Sequence, residues 1–240
     1  MVDRRNDAEN HRKSAQPLWA AVAAAAVGGF CLPCHTAQPD RSVLDNTVVS
    51  RRDPAVEIKL PSSARYIGAD RFLLSDRKLG DFDDCELHVF VEADDARNIR
   101  KLYWVQFEAY LPSHPSLQHT YDSPRHLTIG GVDFYVDTWV SSGSAPAEPG
   151  SDAAHLASLL VSRGYRRGDS MSVRLVHLTD ATRRKELMII YAESLAPTGY
   201  TAAKLKDGGT DHARWAAIEG GLIRRAEQSI TITLAEGSTR

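Results

Sequence analysis

Arg100-Lys-Leu-Tyr-Trp-Val-Gln-Phe-Glu-Ala-Tyr-Leu111 alternates with a period of two. Tyr103, Val105, Phe107, Ala109 and Leu111 form one face, and Trp104, Gln106, Glu108 and Tyr110 form the other, which predicts a β-strand. Immediately before it, Glu86-Leu-His-Val-Phe-Val-Glu92 also alternates. Asp94-Asp-Ala-Arg-Asn98 supplies a turn between them, so the two segments read as an antiparallel hairpin.

Outward from that hairpin the pattern repeats. Leu127 to Val140 is a second hairpin turning at Gly130-Gly131. Met171–Leu178 and Glu186–Glu193 form a third, around Thr179 to Lys185. Ala55 to Pro61 and Arg71 to Leu74 are short strand-like runs. Ser151 or Asp152 caps a helix that carries Leu156, Leu159 and Leu160 inward and stops at Gly164. Thr210 or Asp211 caps the last helix, with Trp215, Ile218, Leu222, Ile223 and Ala226 at helical spacing. A final strand follows from Ser229 to Leu234. The expected fold class is α+β, a meandering antiparallel β-sheet with two main helices packed on one face. A parallel nucleotide-binding sheet is disfavoured, because there is no glycine-rich phosphate loop and no regular strand–helix alternation.

The first 37 residues read differently. Arg4, Arg5, Arg12 and Lys13 precede the apolar run Leu18 to Phe30, which has the layout of a secretory signal. Gly28, Gly29 and Pro33 break that run, which is short for a transmembrane span. Cleavage after Ala37 is the best match to a small-residue exit; the alternative is an uncleaved anchor, the membrane then being met only through this segment. The reading is therefore residues 1–37 signal peptide or anchor, 38–53 polar linker and 54–237 a single domain, exported to the periplasm or secreted. Without its first 37 residues the chain carries 25 basic and 28 acidic residues, from 29 and 31 less 4 and 3. Near-neutrality and the lack of a basic stripe with interleaved aromatics argue against nucleic acid as a partner. Hydrophobic residues at 42% and charged residues at 25% are ordinary for a globular domain, and 54–237 is long enough to bury a core without metal or disulfide support.

Catalytic patterns are sparse. Cys31-x-x-Cys34-His35 has the spacing of a c-type haem attachment, which would make the chain an electron carrier, but it straddles the end of the apolar run and no amphipathic helix follows. Gly-x-Ser-x-Gly is absent. His114, His119 and His126 lie in a Pro/Ser-rich loop with Asp122 and have no helical register, so no metal ligand set is assigned. Glu186 and Glu193 fall on opposite faces of one strand, Arg183-Arg-Lys185 reads as a solvated turn, and Asp83 and Asp84 raise the pKa of Cys85 rather than activate it. A hydrolase site assembled from His119, Asp122 and His177 is the alternative to the leading reading, a non-catalytic module without a cofactor that binds a protein partner or small ligand.

The proposed contact face of that module is Trp104, Gln106, Glu108 and Tyr110, with Arg174 on a neighbouring strand: aromatics flanking polar side chains supply flat area and hydrogen-bond groups together. The competing arrangement buries Trp104 and Tyr110 under the loop Pro112 to Arg125 and pairs Glu108 with Arg174.

Leu102 to Pro112, Val173 to Leu178 and Lys185 to Gly199 resemble segments of exported bacterial proteins of unknown function, over about Val89 to Leu234. A looser likeness, at the level of fold, is to the helix-covered sheet of the photosystem extrinsic PsbP proteins. Neither resemblance implies an activity.

The signal reading makes a direct prediction. The exported chain begins near Gln38 with Cys85 as its one cysteine, and its intact mass reports this. A start at Met1, or the added mass of haem or diacylglycerol, would contradict it.

Overall fold

The computed structural model describes residues 38–235. Residues 1–37, read above as a signal or anchor and holding Cys31, Cys34 and His35, lie outside the described residues. In chain order the elements are β1 (Ser42–Leu44), β2 (Thr47–Arg51), β3 (Ala55–Lys59), β4 (Arg65–Asp76), β5 (Gly80–Ala93), β6 (Ile99–Tyr110), β7 (His126–Ile129), β8 (Val132–Ser141), α1 (Asp152–Ser162), β9 (Ser170–Leu178), β10 (Lys185–Ser194), α2 (Ala202–Leu205), α3 (His212–Ser229) and β11 (Thr231–Leu234). The class is α+β. Seven strands form one antiparallel sheet in the order β4-β5-β6-β10-β9-β8-β7, and four form a second, β1-β2-β3-β11. No helix among the described residues is long and apolar enough to cross a membrane.

The large sheet is two meanders joined at a seam, β4-β5-β6 and β10-β9-β8-β7, with β6 paired to β10. All three expected hairpins are present: β5–β6, β7–β8 and β9–β10. Ser151 Oγ caps α1 by accepting from the Ala154 amide at 3.2 Å. Leu222 and Ala226 of α3 are fully buried.

Two details differ from the sequence reading. Residues 38–53 are not a linker, since β1 and β2 lie within them and pair onward to β3. The two long helices also do not share a face. Leu222 and Ala226 of α3 join a core with Tyr103, Val105 and Phe107 of β6 and with Val48, Val56 and Ile58 of the small sheet. Leu156 and Leu160 of α1 join the opposite core, with Leu102 and Trp104. The reason is a missing layer: the small sheet and α3 cover one face, which leaves α1 and the 112–125 loop to cover the other. Gly130 marks how closely the layers meet. It sits at φ +59, and a Cβ there would fall 1.8 Å from the Ile232 carbonyl oxygen of β11.

Glu86 ties the start of the described chain to the sheet. Its carboxylate accepts from the Asp40 and Arg41 amides at 2.8 Å each and from Arg41 Nη1 at 3.2 Å, and it meets His88 Nε2 at 2.9 Å. Burial alone would raise its pKa, but these donors outweigh it and hold the carboxyl down at about 2, against an ordinary 4.5. A depressed carboxyl stabilises the fold at pH values above its unfolded pKa. The contribution, about 3 kcal/mol from the two pKa values, is present above pH 4.5 and lost as pH falls toward 2. Chemical denaturation across that window should show this loss in the wild-type chain and a flatter profile in Glu86→Gln; equal slopes would show that Glu86 does not couple.

Candidate functional site

The even positions of β6 lie on the α1 side, where Leu102 and Trp104 join an apolar core and the row then turns polar at Gln106 and Glu108. Register places Cys85 of β5 opposite Glu108, and Glu108 opposite Glu186 of β10. Three potential ligand side chains therefore stand in one cross-strand row on one face. Like charges placed directly opposite are destabilising in a sheet.

The loop that closes over this row is pinned by Arg184, whose Nη1 donates to the His114 and Leu117 carbonyls at 2.7 and 2.9 Å. Its Nη2 donates to those of Tyr110 and Leu111 at 3.1 and 2.9 Å. Arg183 and His119 exchange two further bonds, amide to carbonyl at 2.7 Å and Nε to carbonyl at 2.9 Å. The basic run at 183–185 is thus a loop clamp, not a solvated turn. It sets His119 stacked on Tyr110, ring centroids 4.2 Å apart, with Nδ1 2.9 Å from Glu186 Oε2. Tyr121 Oη donates to both oxygens of Glu186, at 2.8 and 3.0 Å. His119 Nε2 is buried and has no hydrogen-bond partner.

Beneath the loop, Trp104 Nε1 donates to Gln106 Oε1 at 2.7 Å and Gln106 Nε2 donates to Glu108 Oε1 at 2.6 Å. Burial, then the charges of Glu186, Asp83 and Asp152, pushes the Glu108 carboxyl well above the usual carboxylate range. Burial likewise raises Asp152, and burial together with Glu108 and Asp83 raises the Cys85 thiol, as the sequence suggested.

The contact face read from the sequence is not a surface. Trp104 is 5% exposed, Tyr110 7% and Gln106 0%; they pack under α1 and the 112–125 loop. Arg174 does not pair with Glu108. It donates to Asp137 Oδ2 at 2.7 Å and lies 5.3 Å from the Tyr121 ring centroid. The residues of the hydrolase alternative do not assemble either: His119 is buried on this side, Asp122 is exposed, and His177 belongs to the opposite face, bonded to the Asp133 carbonyl. His114 bonds to the Asp81 carbonyl and His126 lies tilted against the Tyr135 ring, so the three loop histidines do not converge.

A second feature lies at the β4 edge of the large sheet. A groove of about 720 Å³ runs between the start of β4, the β5–β6 turn and the end of α1. A bulge at Ile67 distorts the edge. Gly68, at φ +146, lets α1 approach, since a Cβ there would meet Leu159 Cδ1 at 3.3 Å and Arg163 Nη2 at 3.6 Å. Arg65, Arg97 and Arg163 line the groove with Tyr66 and Tyr165. Arg97 is pre-set, with Nη1 donating to the Arg163 carbonyl at the end of α1 and its guanidinium 5.6 Å from the Tyr165 ring centroid. None of the three arginines makes an ion pair among the described residues. The contrast is a smaller cavity of about 160 Å³ beside β5 and β6, where Arg52 and Arg71 pair with Asp40, Arg71 also with Asp84, Arg41 with Glu86 and Lys185 with Asp53.

Comparison with known proteins found no matching family, no matching curated protein and no matching solved structure. The resemblance drawn from Leu102 to Pro112 and its companion segments therefore rests on those residues alone.

Proposed function

We propose that this chain is an exported binding module whose ligand is a small molecule carrying a phosphate or carboxylate group, seated in the arginine groove beside β4 and α1. The reading is carried by the convergence of Arg65, Arg97 and Arg163 on one groove with no carboxylate paired to them among the described residues. Guanidinium groups match phosphate and carboxylate oxygens in paired hydrogen bonds. Tyr66 and Tyr165 add flat apolar walls with hydroxyl groups, the mixture typical of small-molecule sites, and about 720 Å³ falls within their usual range of about 300–1,000 Å³. Asp94 and Asp95 stand in the same turn as Arg97, but Asp94 is committed to the Asn98 amide and side chain at 2.8 and 2.9 Å.

Thermal melting in inorganic phosphate, pyrophosphate and citrate tests the proposal. At about 100 times its dissociation constant, a ligand stabilises by about 2.7 kcal/mol, a rise in Tm of about 5–10 °C for a chain of this size. At least one of the three anions should produce a saturable rise that Arg65→Ala and Arg163→Ala abolish and the distant Arg77→Ala retains. No saturable rise with any of them, or an undiminished rise in both groove variants, would reject the groove as the site.

A further inference from the structure

The row on the other side of α1 has a different chemistry. Glu108 and Glu186 face each other across the β6–β10 seam, and His119 is brought onto them from the loop. One ring nitrogen of His119, one oxygen of Glu108 and one of Glu186 all lie within 4.8 Å of one another. His119 is only 6% exposed, and with Nδ1 on Glu186 its Nε2 is left without a partner in the interior. A buried polar atom without a partner is uncommon in a native protein and calls for a missing water or ion. Two carboxylates in apposition beside the imidazole, one of them on Nδ1, call specifically for positive charge.

We propose that Glu108, His119 and Glu186 bind one divalent transition-metal ion of the zinc class. An imidazole nitrogen with two carboxylate oxygens is a donor set such ions accept, whereas calcium and magnesium favour oxygen donors alone. Metal–ligand bonds of about 2.0–2.2 Å place neighbouring ligand atoms about 3.4 Å apart, so atoms already within 4.8 Å need only small side-chain rotations. Tyr121, donating to both Glu186 oxygens, then orients a ligating carboxylate, and the Tyr110 stack fixes the plane of the imidazole. Cys85 and Asp83 stand within the same distance of Glu108, but the Cys85 thiol is fully buried among acids, which disfavours its thiolate. The ion therefore takes nitrogen and oxygen donors. The site is separate from the arginine groove and does not depend on a ligand binding there.

The probe is zinc chloride alone, added to the full chain carrying Cys31→Ser and Cys34→Ser so that the amino-terminal thiols cannot contribute. Calorimetric titration should give one site per chain and a saturable rise in Tm, with magnesium at the same concentration giving neither. Glu108→Gln keeps the side-chain volume and the acceptor for Gln106, and His119→Phe keeps the ring on Tyr110. Each should weaken zinc binding at least tenfold, while His126→Ala leaves it unchanged. The metal-free Glu108→Gln chain should melt no lower than its parent, because it loses a like-charge contact. Zinc-edge X-ray absorption of the parent chain, which needs no variant, should show imidazole and carboxylate ligands without sulfur. No saturable zinc binding, an equal response to magnesium, binding undiminished in both variants, or sulfur in the first shell would each overturn the assignment.

Discussion

Glu108 facing Glu186 across the β6–β10 seam is the constraint to which much of the large sheet is fitted. That seam is where two meanders become one sheet, covered on one face by α3 and the small sheet and on the other by α1 and the 112–125 loop, which leaves Glu186 buried and Glu108 half-buried. A buried carboxylate must be hydrogen-bonded, paired or protonated. Around the seam each remedy has a residue. Gln106 donates to Glu108, and His119 and Tyr121 supply Glu186. The 112–125 loop follows from this demand, since Arg184 binds two of its carbonyls, with those of Tyr110 and Leu111 just before it, and so places His119 and Tyr121 where the acids need them.

The same division of faces produces the groove. With α3 and the small sheet occupying one side, α1 shares the other with the 112–125 loop and ends against the edge strand β4. Gly68 allows the helix end to come close, and the helix's last carbonyls hold Arg97. Cations gather there because a helix C-terminus carries partial negative charge. That charge belongs to the backbone and leaves Arg65 and the rest of each guanidinium available to a ligand.

Most local structure was legible in the chain. Alternation identified three hairpins, Ser151 marked the start of α1, and the spacing of Leu222 and Ala226 marked the buried side of α3. Residues 38–53 were not legible, because β1 has three residues and β2 five within a polar stretch, and their sheet is completed by β11 at the far end of the chain. Without that sheet, period-two alternation in β6 still gave two faces but could not say that both were covered. Trp104 and Tyr110 therefore read as a contact surface. The Pro/Ser composition of 112–125 suggested solvent, and nothing in spacing alone links it to Arg184. Glu108 and Glu186 carried a weak signal, acids within strongly apolar strands. Arg65, Arg97 and Arg163 carried none, being joined only by the fold.

Infrared difference spectroscopy of the metal-free chain at neutral pH tests the central constraint most directly, through the carbonyl stretch of a protonated carboxylic acid. The expected result is such a band in the wild-type chain, diminished in Glu108→Gln, because two facing carboxylates, one buried and one half-buried, do not both hold their charge without a cation between them. A wild-type spectrum with no protonated-acid band, or one in which the band survives Glu108→Gln unchanged, would contradict it.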